Sequence, residues 1–145
     1  MENMRKIILG TITVLLMALL ATSCGMEVEY NQVPFEEIHG TCKLNPSKVS
    51  PSVIYTRSEL DNTYSNVSPV VDMASNFIIM VCAPKGGPYT GVRIKEVMSK
   101  DASMYVKYSL ENSGVSPDAG CPHAAVAVSR SYAGYDISFF DVSGK

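Results

Sequence analysis

Apolar and polar residues alternate most regularly at Met104, Val106, Tyr108 and Leu110, which interleave with Tyr105, Lys107, Ser109 and Glu111. A period of two predicts a strand with one buried face. Val92 and Ile94 alternate with Arg93 and Lys95 in the same way, until Val97 breaks the parity and marks a bulge near Glu96. With the polar Lys100-Asp101 turn between them, Val92–Met98 and Ser103–Glu111 are predicted to pair as an antiparallel hairpin. Phe77–Ala83 is different in kind. Every position is apolar, so a strand here must be covered on both faces. Phe35–Leu44 (interrupted at His39-Gly40), Val53–Tyr55, Ala124–Ser129 and Asp136–Val142 supply further strands. Thr56-Arg57-Ser58-Glu59 has the form of a capping box, and Leu60 and Tyr64, four apart, share one helical face. A helix of about two turns is predicted there, ending before Asn66. The expected fold class is α+β, mostly β: a small single domain with an antiparallel sheet of about five to six strands and one short helix.

One apolar run follows another logic. Ile7–Leu20 stands behind Arg5 and Lys6 and ends in Ala21-Thr22-Ser23-Cys24. It falls short of the roughly 20 apolar residues that span a bilayer. A basic start, an apolar core and small residues at the end make a secretion signal. Cys24 resembles the acylated cysteine of bacterial lipoproteins, with Ala21 where that family usually has Leu. The resemblance implies cleavage before Cys24 and several acyl chains on it, enough for a stable membrane anchor. Residues 1–23 are therefore expected to be a lipoprotein signal peptide. Residues 24–34, with Glu27, Glu29, Asn31 and Gln32 and no periodicity, are expected to be a tether. Residues 35–145 form the domain. Gly25 lacks the Asp that retains some lipoproteins at the inner membrane, so the outer membrane is favoured.

Charge narrows the partners. The chain has 12 Lys and Arg against 14 Asp and Glu. The basic residues are scattered, which excludes nucleic acid as a partner. There is no Trp, which weakens a sugar-stacking role, although eight Tyr remain.

With Cys24 assigned to lipid, Cys42, Cys82 and Cys121 remain. An odd number in an oxidising compartment predicts one disulfide and one free thiol. Cys82 sits in the most apolar segment and is assigned the buried thiol. Cys42 and Cys121 lie near segment ends and are assigned the disulfide. Those two cysteines also admit a metal reading, in which His39-x-x-Cys42 and Cys121-x-His123 offer two nitrogens and two sulfurs to zinc. The oxidising compartment favours the disulfide, and neither a metal nor a cofactor is expected. No catalytic motif stands out: Gly-x-Ser-x-Gly and His-Glu-x-x-His are both absent. The candidate contact surface is the loop Gly86, Gly87, Pro88, Tyr89, Thr90, Gly91, where glycines expose backbone, Pro88 stiffens the loop and Tyr89 offers area. The plainer reading is a strand connection that needs positive φ at its glycines.

The order of these parts resembles the PrcB C-terminal domain family of bacterial envelope proteins. The resemblance runs through Ser52–Leu60, Val71-Asp72-Met73, Phe77–Ala83, Gly86–Ile94, Pro117, Cys121 and the aromatic-rich Tyr132–Phe140. The family's paired Gly and following Tyr are replaced by Gly91 and Val92. The resemblance implies a non-enzymatic interaction domain at the cell envelope, associated with a secreted protease complex. A protease inhibitor acting through Gly86–Gly91, or a carrier of a small apolar ligand, stay open as alternatives.

Overall fold

The computed structural model describes residues 29–115 and 120–144. Nine strands and one α-helix are present among them. The strands are β1 (Asn31–Gln32), β2 (Glu36–Cys42), β3 (Ser50–Ile54), β4 (Tyr64–Ser68), β5 (Asn76–Cys82), β6 (Gly91–Lys100), β7 (Ser103–Glu111), β8 (His123–Ser129) and β9 (Asp136–Asp141). The helix, α1, is Arg57–Thr63. The mostly-β domain with one short helix is thus what the chain forms. The strands divide between two sheets, in the orders β1-β6-β7-β9 and β3-β5-β8-β2-β4. All neighbours are antiparallel except β7 and β9, which run parallel.

The two sheets pack face to face. Phe77, Ile79, Val126 and Val128 on one meet Ile94, Val97, Met104 and Val106 on the other. The opposite face of the five-stranded sheet is covered by α1 and the segment after it. There Ile78, Met80, Cys82, Ala125 and Ala127 pack against Leu60, Tyr64, Val71 and Met73. β5 therefore lies in the middle of three layers, which is why Phe77 to Cys82 carry no polar position. Phe77 through Cys82 are all fully buried.

Local chemistry sets the elements. Thr56 Oγ1 accepts from the Glu59 N–H at 3.1 Å, and Glu59 Oε1 accepts from the Thr56 N–H at 3.0 Å, the reciprocal capping box. The β6–β7 hairpin turns at Asp101, whose φ of 55° is left-handed. Its register shifts between Ile94 and Glu96, where the broken parity places a bulge. Gly40 marks a second bulge, between His39 and Thr41 in the β2–β4 ladder. A Cβ there would stand 2.6 Å from the Ser65 carbonyl oxygen, so the two backbones meet only because residue 40 has no side chain.

Three features depart from expectation. The strands form two sheets rather than one, because alternation reports a buried face and not the strand that covers it. Tyr64–Ser68 is a strand that follows α1 without a loop: Tyr64 is already extended at φ −143°, ψ 139°. The compact body also begins earlier than Phe35. Asn31 and Gln32 pair with Ser99 and Met98, and Val33 is buried between the sheets. The leader and Cys24 lie outside the described residues. Among the described residues no helix is long and apolar enough to cross a membrane.

Candidate functional site

Strand β6 has ten residues, but β1 covers its outer edge only at Met98 and Ser99, with one further bond from the Val33 N–H to the Val97 carbonyl. Pro34 then turns the chain away into β2. The direction of the remaining backbone groups follows from the ladder. The Tyr108 carbonyl accepts from the Val142 N–H and the Leu110 N–H donates to Ser143 Oγ, so residues 108 and 110 face β9. Ser109 and Glu111 therefore face β6 and bond Arg93 and Gly91, their register partners. Val92 and Ile94 are left pointing their N–H and C=O groups away from β7, and no strand pairs with them there among the described residues.

This edge borders a groove of about 350 Å³ between the sheets. Val92, Arg93 and Ile94 form one side, Glu37, His39 and Gly40 of β2 the other, and Ala124 and Val126 of β8 also line it. Arg93 Nε is held by Glu111 Oε2 at 3.1 Å. The groove thus offers backbone groups that no described strand pairs, small apolar side chains from β8 and charged groups from its flanks. An extended peptide satisfies all three kinds of group by adding as a strand.

The loop from Gly86 to Gly91 leads directly into this edge. Gly86, Gly87 and Pro88 are exposed, and Gly86 has φ 78°. Tyr89 does not protrude: its ring packs beside Val81, Ala83 and Val92. Thr90 ties the loop to the end of β7, with its N–H on the Glu111 carbonyl at 2.7 Å and its hydroxyl on the Ser113 carbonyl at 2.6 Å. The loop is a fixed rim to the edge, and most of its contact area lies at residues 86–88.

A second cluster lies at the end of the five-stranded sheet, on the face that α1 covers. Cys42 ends β2, Cys82 ends β5, and Cys121 precedes β8. Their three Sγ atoms lie within 4.8 Å of one another, with Cys42 and Cys82 at 3.4 Å. All three are free thiols and buried. Gly120, at φ 76°, makes this approach possible, since a Cβ there would stand 2.5 Å from the Cys42 carbonyl oxygen. Hydrogen bonds from Cys82, Cys121 and the Leu44 N–H hold the Cys42 thiol down at about 6, against its own burial. Cys82 is pushed far up by its hydrogen bond to Cys42 and by burial. Cys121 is pushed up to about 12, chiefly by burial.

His123 lies beside this cluster. Its Nδ1 meets the Cys121 carbonyl at 3.0 Å, so Nδ1 carries the proton, and Nε2 accepts from the Tyr64 hydroxyl at 2.5 Å. Burial, and then the three cysteines, push the Tyr64 phenol upward.

The structure thus brings Cys42 and Cys121 together, and it adds Cys82, which had been set apart as a lone buried thiol. It does not bring the two histidines together around the sulfurs. His39 is exposed on the groove side of β2, and both nitrogens of His123 are engaged elsewhere. Cys82 escaped the sequence reading because an all-apolar strand hides which residues share a face. The signal was its parity with Ile78 and Met80. The open groups of Val92 and Ile94 carry no side-chain signature at all. No protein-family model matches the chain, and neither a curated protein nor a solved structure matches it.

Proposed function

We propose that the chain is a cell-envelope lipoprotein, held to the membrane by lipid on Cys24, whose domain is a non-catalytic protein-interaction module. Its partner is another envelope or secreted protein, which adds an extended segment along the edge of β6. The observation that carries this reading is the pair of buried residues Val92 and Ile94, whose outward backbone groups no described strand pairs, beside a groove of about 350 Å³. Three other strands at the sheet margins carry features that oppose pairing. β3 has Pro51, β4 is followed by Pro69, and β9 begins at Asp136 and ends at Asp141. The resemblance to the PrcB C-terminal family supports a protease complex as the class of partner, and the secretion signal with Cys24 supports the envelope, on the outer membrane.

Blocking one donor on the open edge tests the reading. Val92→Pro removes an N–H that faces the groove and leaves the bonds that Gly91 and Arg93 make to β7. Envelopes carrying tagged wild-type or variant chain are crosslinked and the retrieved proteins quantified, with thermal unfolding as a check on folding. A folded variant is expected to lose its specific partner by at least about tenfold. Equal recovery by the two chains would refute strand addition at this edge.

A further inference from the structure

The cysteine cluster has a composition that core packing alone does not explain. Three thiols arrive from three separate segments, in a core otherwise built from aliphatic and aromatic side chains and the thioethers of Met73 and Met80. A fold that needed only volume there would be served by Val or Ala. We propose that Cys42, Cys82 and Cys121 form a three-sulfur site for a thiophilic metal ion, and that Cu(I) is the ion it fits. This proposal is independent of the strand edge.

The distances suit an ion. Sulfurs about 2.3 Å from a metal stand about 4 Å apart when three of them surround it in a plane. The thiols here lie between 3.4 Å and 4.8 Å apart. Each separation differs from that arrangement by less than about 1 Å. The backbone already holds the set: Gly120 lies against Cys42, and Cys82 pairs in register with His123, two residues beyond Cys121.

The number of ligands selects the ion. Among the described residues no carboxylate or imidazole joins the three sulfurs. His123, the nearest in sequence, uses Nδ1 on the Cys121 carbonyl and Nε2 on the Tyr64 hydroxyl. Structural zinc closes a tetrahedron with four ligands, and catalytic zinc keeps a water in the fourth place. These thiols are 0–1 % exposed, which does not suit a site that keeps an open, water-filled fourth place. A soft monovalent ion that takes thiolates and accepts three ligands meets both conditions. The Leu44 N–H directed at the Cys42 sulfur and the His123–Tyr64 pair beside Cys121 supply the outer contacts that steady such ligands. Each S–Cu bond replaces an S–H bond, and the proton leaves to solvent. Copper enters and leaves as Cu(I), so no oxidant or reductant is consumed.

The test uses the full chain, reduced and desalted without oxygen. Cu(I) is presented in competition with the chromogenic chelator bathocuproine disulfonate. One Cu(I) per chain is expected to leave the chelator. Copper-edge X-ray absorption of the wild-type protein is expected to show three sulfur neighbours and no nitrogen or oxygen shell, a readout that needs no variant. Cys82→Ser and Cys121→Ala are each expected to weaken retention at least about tenfold. No withdrawal of copper, a nitrogen or oxygen shell, or tighter retention of Zn(II) than of Cu(I) would overturn the assignment. A disulfide among these three cysteines in protein isolated without reductant would overturn it as the state in the cell.

Discussion

Replacing Gly120 by Ala tests how the fold brings its cysteines together. Residue 120 has φ 76°, and an added Cβ would lie 2.5 Å from the Cys42 carbonyl oxygen and 3.3 Å from its nitrogen. The left-handed conformation alone costs an alanine about 1 kcal/mol. The overlap adds more, because the atoms it meets are backbone of β2 and cannot rotate away. Relief requires residues 120–122 to move off β2, taking Cys121 from Cys42 and weakening the Ala83 N–H bond to the Pro122 carbonyl. The total is about 2–4 kcal/mol. With a urea m-value of about 1.5 kcal/mol/M for a domain of this size, the unfolding midpoint falls by about 1.3–2.7 M. Gly134→Ala is the control, because a Cβ there meets nothing within 4 Å and φ is not positive. Its midpoint should stay within about 0.3 M of wild type. Equal midpoints for the two variants would refute the claim that Gly120 seats the Cys121 segment on β2.

The other predictions concern separate parts of the fold. Thr56→Ala removes one half of the capping box and should lower stability by about 1 kcal/mol in urea unfolding, while leaving the β-sheet signal unchanged. Hydrogen bonds from the Tyr55 and Thr56 N–H groups hold the Glu59 carboxyl below its usual value of 4.5. Its stabilisation is therefore complete above about pH 4.5 and is lost as pH falls through the lower, folded-state value. The stability gap between wild type and Glu59→Gln should close on acidification, and a gap that widens would contradict the assignment. Tyr64→Phe leaves His123 Nε2 without its donor and should cost about 1–2 kcal/mol by thermal or urea unfolding. A chain beginning at Phe35 loses β1 and the buried Val33 and should be less stable by roughly 2 kcal/mol than one beginning at Glu29. Equal stability would place those residues back in the tether.

Much of the fold was legible because local patterns and tertiary burial agree. Met104 to Leu110 alternate because one face of β7 meets the core. Phe77 to Cys82 do not, because β5 has a layer on each side. The capping box at Thr56 and the bulge near Glu96 were readable because each depends on neighbours in the chain. What escaped depends on partners far away in sequence. β1 is two residues long and has no period to detect. β4 starts at Tyr64, the residue that caps α1, where a helical reading of Tyr64 had equal local support. The same Tyr64 reaches His123, 59 residues on, which spacing cannot show. The site was less legible than the fold. The loop Gly86–Gly91 drew notice for its glycines, yet the open groups beside it belong to the backbone of Val92 and Ile94. Cys82 was readable as buried but not as a neighbour of Cys42.

The pairing of a partner with the edge of β6 can be read directly in the cell. A photo-activatable residue at position 93, on that edge, and another at position 138, on β9, test it in intact envelopes. A discrete crosslinked species is expected from position 93, absent from position 138 and lost when Val92→Pro is introduced alongside it. Crosslinking of the same species from both positions, or from position 93 irrespective of Val92→Pro, would contradict it.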